Sequence, residues 1–199
     1  MLRQCQHFYY RGFMKLAFID IETTGLTVGY HEIIEIAIIT ECNGKLDVYS
    51  TKIKPNDIHR ADARALQING YNDTQWIDAP YDHEVVDEIA DKLEGCTLVG
   101  HNVQFDHEFI EDLCWRHKVK LECKHRMVDT ITLAHEHLYF LPRHSLSAIM
   151  QLFGMSTVGN HRALKDANDM RTIYYKLLRA SAISRLWWIL RHEIKKRVL

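Results

Sequence analysis

The sequence predicts an α/β fold in which one mixed sheet, an antiparallel meander joined to parallel strands, is flanked by helices. Three features carry that expectation: β-branched segments with short connections come first, helical patterns then alternate with short apolar runs, and 199 residues with 47% hydrophobic content suffice for one core. A chain of this length buries about 70% of the surface that its unfolded form exposes. That apolar content and only three prolines exclude a disordered or low-complexity chain.

Residues 1–14 form an aromatic-rich N-terminal extension with no clear period, readable as an added strand, a packing arm or a stretch upstream of a second start at Met14. Residues 15–23 are an apolar run ending in a Thr-Thr-Gly turn signal, which predicts a buried first strand. Residues 32–40 are β-branched and predict a second strand. Asn43-Gly44 then turns the chain into a third, over 47–54, which Pro55 stops. After Pro55 helices are expected over 60–69, closed by Gly70, and 82–93, closed by Gly95. A short strand at 96–100 leads into an amphipathic helix over 104–117, in which Phe105, Phe109 and Leu113 recur every four residues. One more strand (126–129), two short helices (130–138 and 145–153) and a long helix (162–180) complete the pattern. No repeat or domain-splitting linker interrupts it.

The net charge of −1 hides an uneven distribution. Residues 116–126 carry five Lys/Arg against one Glu, and residues 179–199 carry six against one. The remainder therefore holds about ten net negative charges. This balance argues against a broad, non-specific duplex binder without excluding nucleic acid. Cys5, Cys42, Cys96, Cys114 and Cys123 are odd in number and scattered, which points to a reducing compartment. With no signal peptide or spanning segment visible, the expectation is a soluble, cytoplasmic protein.

Four carboxylates stand out from this background. Asp20 and Glu22 lie two residues apart on the first strand, so both side chains point to one face. Such a pair is costly to bury unless positive charge sits between its members. Taken alone it fits either a salt-bridged strand end or a cation site. Asp106 falls in the first turn of a helix that leaves a buried strand, at the strand end where open α/β sheets place ligands. His161 and Asp166 are five residues apart, about 140° around a regular helix, which places His161 in the loop or cap before the last helix. Asp20, Glu22, Asp106 and Asp166 are hard oxygen donors of the kind Mg²⁺ or Mn²⁺ prefers, and they could hold two such cations about 4 Å apart. A pair of this kind stabilises the attacking and leaving oxygens of a displacement at phosphorus. His161 is the candidate base for the attacking water.

The motifs Asp20-Ile21-Glu22-Thr23-Thr24-Gly25, His101-Asn102-Val103-Gln104-Phe105-Asp106 and His161-Arg162-Ala163-Leu164-Lys165-Asp166 resemble, in order and spacing, the three exonuclease motifs of the DEDDh family. The absence of a Tyr from the third motif matches the family's His branch. This resemblance implies a ribonuclease-H-like fold over residues 15–180 and hydrolysis from a 3′ end with release of nucleoside 5′-monophosphates. It implies that Asp20, Glu22 and Asp166 hold the cation carrying the attacking water, that Asp20 bridges to a second cation positioned with Asp106, and that His161 is the base. Thr23 and Leu26 match positions where relatives contact or wedge the terminal nucleotide; His101 and Asn102 match a strand-end position near the substrate. No catalytic position is substituted.

Single-stranded DNA ends are the favoured substrate, with RNA ends or short oligoribonucleotides as a first rival. A second rival is a binding subunit that holds a 3′ end or a polymerase, with hydrolysis secondary. Cys114, His117, Cys123 and His125 include zinc-ligand types, but their spacing fits no common finger. The basic 116–126 stretch reads as a solvated junction or as a phosphate contact. In residues 181–199, Ile183, Leu186, Trp187, Leu190 and Ile194 form one stripe among basic residues. Such a helix can pack on its own domain, meet a dimer mate or protein partner, or, as the least favoured option, lie on a membrane surface.

Overall fold

The computed structural model describes residues 15–123, 127–159 and 161–179. Its framework is a five-stranded sheet of β1 (Leu16–Thr23), β2 (Ile33–Cys42), β3 (Lys45–Lys52), β4 (Thr97–Gly100) and β5 (Val128–Asp129), in the spatial order β3-β2-β1-β4-β5. The first three strands pair antiparallel, as the short connections require; β4 and β5 join parallel to β1 and to each other. Parallel neighbours need crossovers, and the helices supply them. α1 (Ala63–Asn69), α2 (Asp73–Trp76) and α3 (Asp82–Leu93) lie between β3 and β4, α4 (Val103–His117) between β4 and β5, and α5 (Thr130–His137), α6 (Leu146–Leu152) and α7 (residues 163–179) follow. The expected mixed sheet with flanking helices is therefore present.

Strand alternation divides the core in two. Ala17, Ile19 and Ile21 of β1 and Ile36 and Ile38 of β2 pack with Val86 and Ile89 of α3 and Phe109, Ile110 and Leu113 of α4. On the other face, Phe18, Ala37, Ile39 and Val99 meet Leu133 of α5, Ile149 of α6 and Ala163, Ala167, Met170 and Ile173 of α7. The ring of Phe18 lies edge-on to Tyr174, with centroids 5.5 Å apart. Asp20 and Glu22 share the parity of Phe18, so they face α7.

The differences from expectation have local causes. The helix expected from residue 60 starts at Ala63, because the carboxylate of Asp62 caps it by accepting from the amides of Arg64 and Ala65. A short 3-10 turn, Ile58–Arg60, precedes it. The sequence did not announce α2, which is only four residues long and is capped by Asn72. Tertiary contact holds it: Trp76 is buried and its indole N–H donates to the carbonyl of Ile34 at 2.7 Å. Residues 1–14, His125 and the 181–199 helix lie outside the described residues. Cys42, Cys96, Cys114 and Cys123 form no disulfide among the described residues. No helix among the described residues is long and apolar enough to cross a membrane.

Candidate active site

The carboxylates converge at the C-terminal end of β1. Asp20 pairs in register with Ala37, and Glu22 with Glu35, on the face toward α7. A register shift after Glu22 ends the regular ladder. The chain then makes a tight loop in which the Thr24 amide donates to the Glu32 carbonyl at 2.8 Å and the Thr24 hydroxyl accepts from the Glu32 amide at 2.9 Å. A Cβ at Gly25 would sit 2.3 Å from Nε2 of His31, so any larger residue there must displace that ring. Asn69, buried at the end of α1, braces the same strand end by donating to the Thr23 carbonyl at 3.0 Å.

Asp106 arrives from the first turn of α4. It is 6% exposed, and its Oδ1 accepts the Ile21 amide at 3.1 Å, which sets it between Asp20 and Glu22 along the strand. Gly100, at the end of β4, permits the short approach into this helix, since a Cβ there would lie 2.8 Å from that of Val103. Asp166 arrives from the first turn of α7, also 6% exposed. Its Oδ2 accepts the His161 amide at 2.7 Å, while its Oδ1 is buried with no hydrogen-bond partner among the described residues. His161 is exposed and stands two residues before the helix at φ 65°, as a loop or cap position requires. One donor atom each from Glu22, His161 and Asp166 lie within 4.8 Å of one another.

Crowding shows in the electrostatics. Burial, followed by the charges of Asp106, Asp166, Glu22 and Glu35, pushes the Asp20 carboxyl well above the usual range. Glu22 is raised from 4.5 to about 8, mainly by burial and then by Asp166 and Glu35, with Arg162 opposing. Asp106 is also raised well above its ordinary value by burial, although the amide of Ile21 works against the shift. Burial raises Asp166 too, against the favourable amide and ring of His161. Four acids that resist ionising together, one carrying an orphaned buried oxygen, form a donor set suited to divalent cations. These residues fit such ions.

The other sequence-predicted positions surround this centre differently. Thr23 is buried and its hydroxyl donates to the Gly25 carbonyl at 2.6 Å, so it shapes the turn. Leu26 projects from that turn, 81% exposed. Asn102 adopts φ 70° at the N-cap of α4, with its amide donating to Asp129 at 3.1 Å. His101 packs 3.0 Å from the Thr130 hydroxyl, and burial lowers its pKa.

Two residues were missed. Glu35, 4% exposed in β2, joins the acidic cluster and pairs with Arg162. A charge inside the apolar run 33–39 was its signal. Its proximity to Glu22 depends on strand register, which the sequence does not state. Among the described zinc-like residues, Cys114 is buried in the core with Cys123 against it, while His117 lies 3.2 Å from Asp82. Within the described part of the basic 116–126 stretch, Arg116 pairs with Asp82 and Asp112, and Lys120 with Glu122.

The RNase T exonuclease family model matches residues 17–174, most of the chain and all of the site. The chain belongs to this exonuclease family. Its motif set is that of the DEDDh 3′-to-5′ exonucleases. It is 30% identical over 161 residues to the DNA polymerase III subunit epsilon of Aquifex aeolicus, covering 80% of this chain and 78% of that protein. The PolC-type DNA polymerase III of Caldanaerobacter subterraneus subsp. tengcongensis is 32% identical over 161 residues, which is 80% of this chain and 11% of the relative. The chain thus spans about a tenth of the length of its PolC-type relatives. E. coli Exonuclease I in complex with a dT13 oligonucleotide has the same fold, with a TM-score of 0.72 at 18% identity over 89% of this chain and 43% of that one.

Proposed function

We propose that this protein is a metal-dependent 3′-to-5′ exonuclease that shortens single-stranded DNA from its 3′ end and releases nucleoside 5′-monophosphates. The observation that carries this reading is the convergence of Asp20, Glu22, Asp106 and Asp166 from three separate elements, with His161 beside Glu22 and Asp166. In this proposal Asp20, Glu22 and Asp166 hold one divalent cation, and Asp20 with Asp106 holds a second, Mg²⁺ or Mn²⁺. Bound there, the cations supply a water of lowered pKa and offset charge on the attacking and leaving oxygens.

The chain's own groups do the rest. The His161 ring is exposed at the edge of the cluster, where it accepts the proton of the attacking water. The hydrogen bond from its backbone amide to Asp166 ties the base to the carboxylate wall. The Ile21 amide holds one oxygen of Asp106 and so fixes this carboxylate against the catalytic strand. In this reading Leu26, exposed beyond Glu22, meets the terminal nucleotide, and His101 and Asn102, ahead of α4, lie near the substrate; the exposure of Leu26 supports the first contact. DNA is favoured because the named relatives are DNA polymerase III components and the related Exonuclease I fold was captured with dT13.

The test is side-by-side digestion of 5′-labelled single-stranded DNA, single-stranded RNA and duplex DNA, with Mg²⁺, Mn²⁺ or chelator, by wild type, Asp20→Ala and His161→Ala. The expected result is metal-dependent shortening of single-stranded DNA to mononucleotides, lost in both variants. Preference for RNA would transfer the reading to an exoribonuclease. A folded wild type silent on every substrate would sink the enzyme reading and favour a 3′-end binding module.

A further inference from the structure

Arg162 follows the base directly in the chain, yet its side chain turns to the sheet. Its Nε lies 3.1 and 3.4 Å from the two carboxylate oxygens of Glu35. The Glu35 side chain is only 5% exposed, whereas that of Arg162 is 47% exposed. The guanidinium is thus anchored at one corner by a buried acid, and its Nη1 and Nη2 make no hydrogen bond among the described residues. Glu35 is the register partner of Glu22, which places the anchored cation at the rim of the carboxylate cluster.

The neighbouring cations are committed differently. Lys165 binds Asp169 and the Ser156 carbonyl, and Arg171 binds Glu41. A polyanionic strand that approaches several carboxylates must be met by positive charge, and a guanidinium held at Nε presents its remaining donors in the planar fork that matches two phosphate oxygens. We propose that Arg162, oriented by Glu35, is a substrate-binding residue that grips a backbone phosphate at the 3′ end of the strand. This rests on the exonuclease reading above and adds to it a contact outside the carboxylate and histidine set. Glu35 is the positioning residue: it takes no part in the phosphate contact and fixes the direction of the fork.

The alternative is a clasp that only fixes the loop carrying His161, and salt dependence separates the two. Removing one phosphate contact from a single-stranded complex makes the slope of log(kcat/KM) against log[salt] shallower by about 0.7. Removing a clasp changes rate and leaves that slope alone. The experiment measures kcat, KM and salt slope on 5′-labelled single-stranded DNA for wild type, Arg162→Ala, Arg162→Lys and Glu35→Gln, with thermal unfolding of each as a control on folding. Arg162→Ala is expected to raise KM about 10- to 100-fold, with a smaller change in kcat and the shallower slope. Arg162→Lys keeps the wild-type slope with a partly raised KM, and Glu35→Gln gives an intermediate KM.

A single neutral methylphosphonate, walked through the first linkages from the 3′ end, identifies the phosphate. It should penalise wild type at one linkage and leave Arg162→Ala indifferent there. An active wild type whose Arg162→Ala variant keeps its KM and salt slope, or loses kcat alone, overturns the phosphate contact and leaves the exonuclease reading standing. A folded wild type that degrades no strand overturns both.

Discussion

Glu22→Gln should make the cation-free protein more stable while abolishing its activity, and the gain should grow with pH. Glu22 titrates at about 8 in the fold against 4.5 as a free side chain, because burial and the charges of Asp166 and Glu35 oppose its ionisation. A carboxyl whose folded pKa is raised holds its proton in the fold after the unfolded chain has released it, so stability falls as pH climbs from the unfolded value to the folded one. Near pH 5 little has been lost, whereas at about pH 7 the cost is a little over 3 kcal/mol at about 1.36 kcal/mol per pKa unit. Glutamine escapes that cost but buries an amide in its place, which leaves a net gain of about 1–3 kcal/mol near neutrality. Urea unfolding in the presence of chelator, at about pH 5 and about pH 7.5, reads the difference. Equal gains at the two pH values, or a variant less stable than wild type near neutrality, would refute the claim that this side chain is held against its own charge.

Other substitutions report on neighbouring parts of the account. His161→Ala should lower single-turnover hydrolysis about 10²- to 10⁴-fold, the usual range for a general base, with thermal unfolding little changed because the side chain is exposed. Asn69→Ala should cost about 1–3 kcal/mol in urea unfolding, because the buried Thr23 carbonyl loses its donor beside the catalytic strand end. Gly25→Ala should force His31 out of its place against the loop, detected as a weakened hydrolysis rate together with a lowered melting temperature.

The path from residues to site was readable where periodicity and local turns decide structure. The parity of Asp20 and Glu22 on an apolar strand put both on one face, and the five-residue offset to Asp166 put His161 ahead of α7, where it stands. The bounds of α3 were also legible, since an acidic first turn and a closing Gly95 bracket its apolar stripe. Four-residue α2 was not, because its hold on the fold is the long-range bond from Trp76 to β2 rather than any helical pattern. Arg162 and Glu35 escaped for a similar reason. They are 127 positions apart, and only the pairing of β1 with β2 and the seating of α7 bring them together. The basic stretch 116–126 read as a solvated junction or a phosphate contact; the carboxylates that engage Arg116 and Lys120 were not legible in it, because Asp82 reaches Arg116 only through the packing of α3 on α4.

The central claim is that carboxylates from β1, α4 and α7 act as one cation-binding centre. Titration of Mn²⁺ into wild type, Asp20→Asn and Asp166→Asn, followed by the loss of free-ion electron paramagnetic resonance signal, tests it most directly. Wild type should take up Mn²⁺, with the second ion binding more tightly once a single-stranded oligonucleotide is present, and each variant should lose at least about tenfold in affinity. Indistinguishable Mn²⁺ uptake by wild type and both variants would contradict the claim that these residues form the centre.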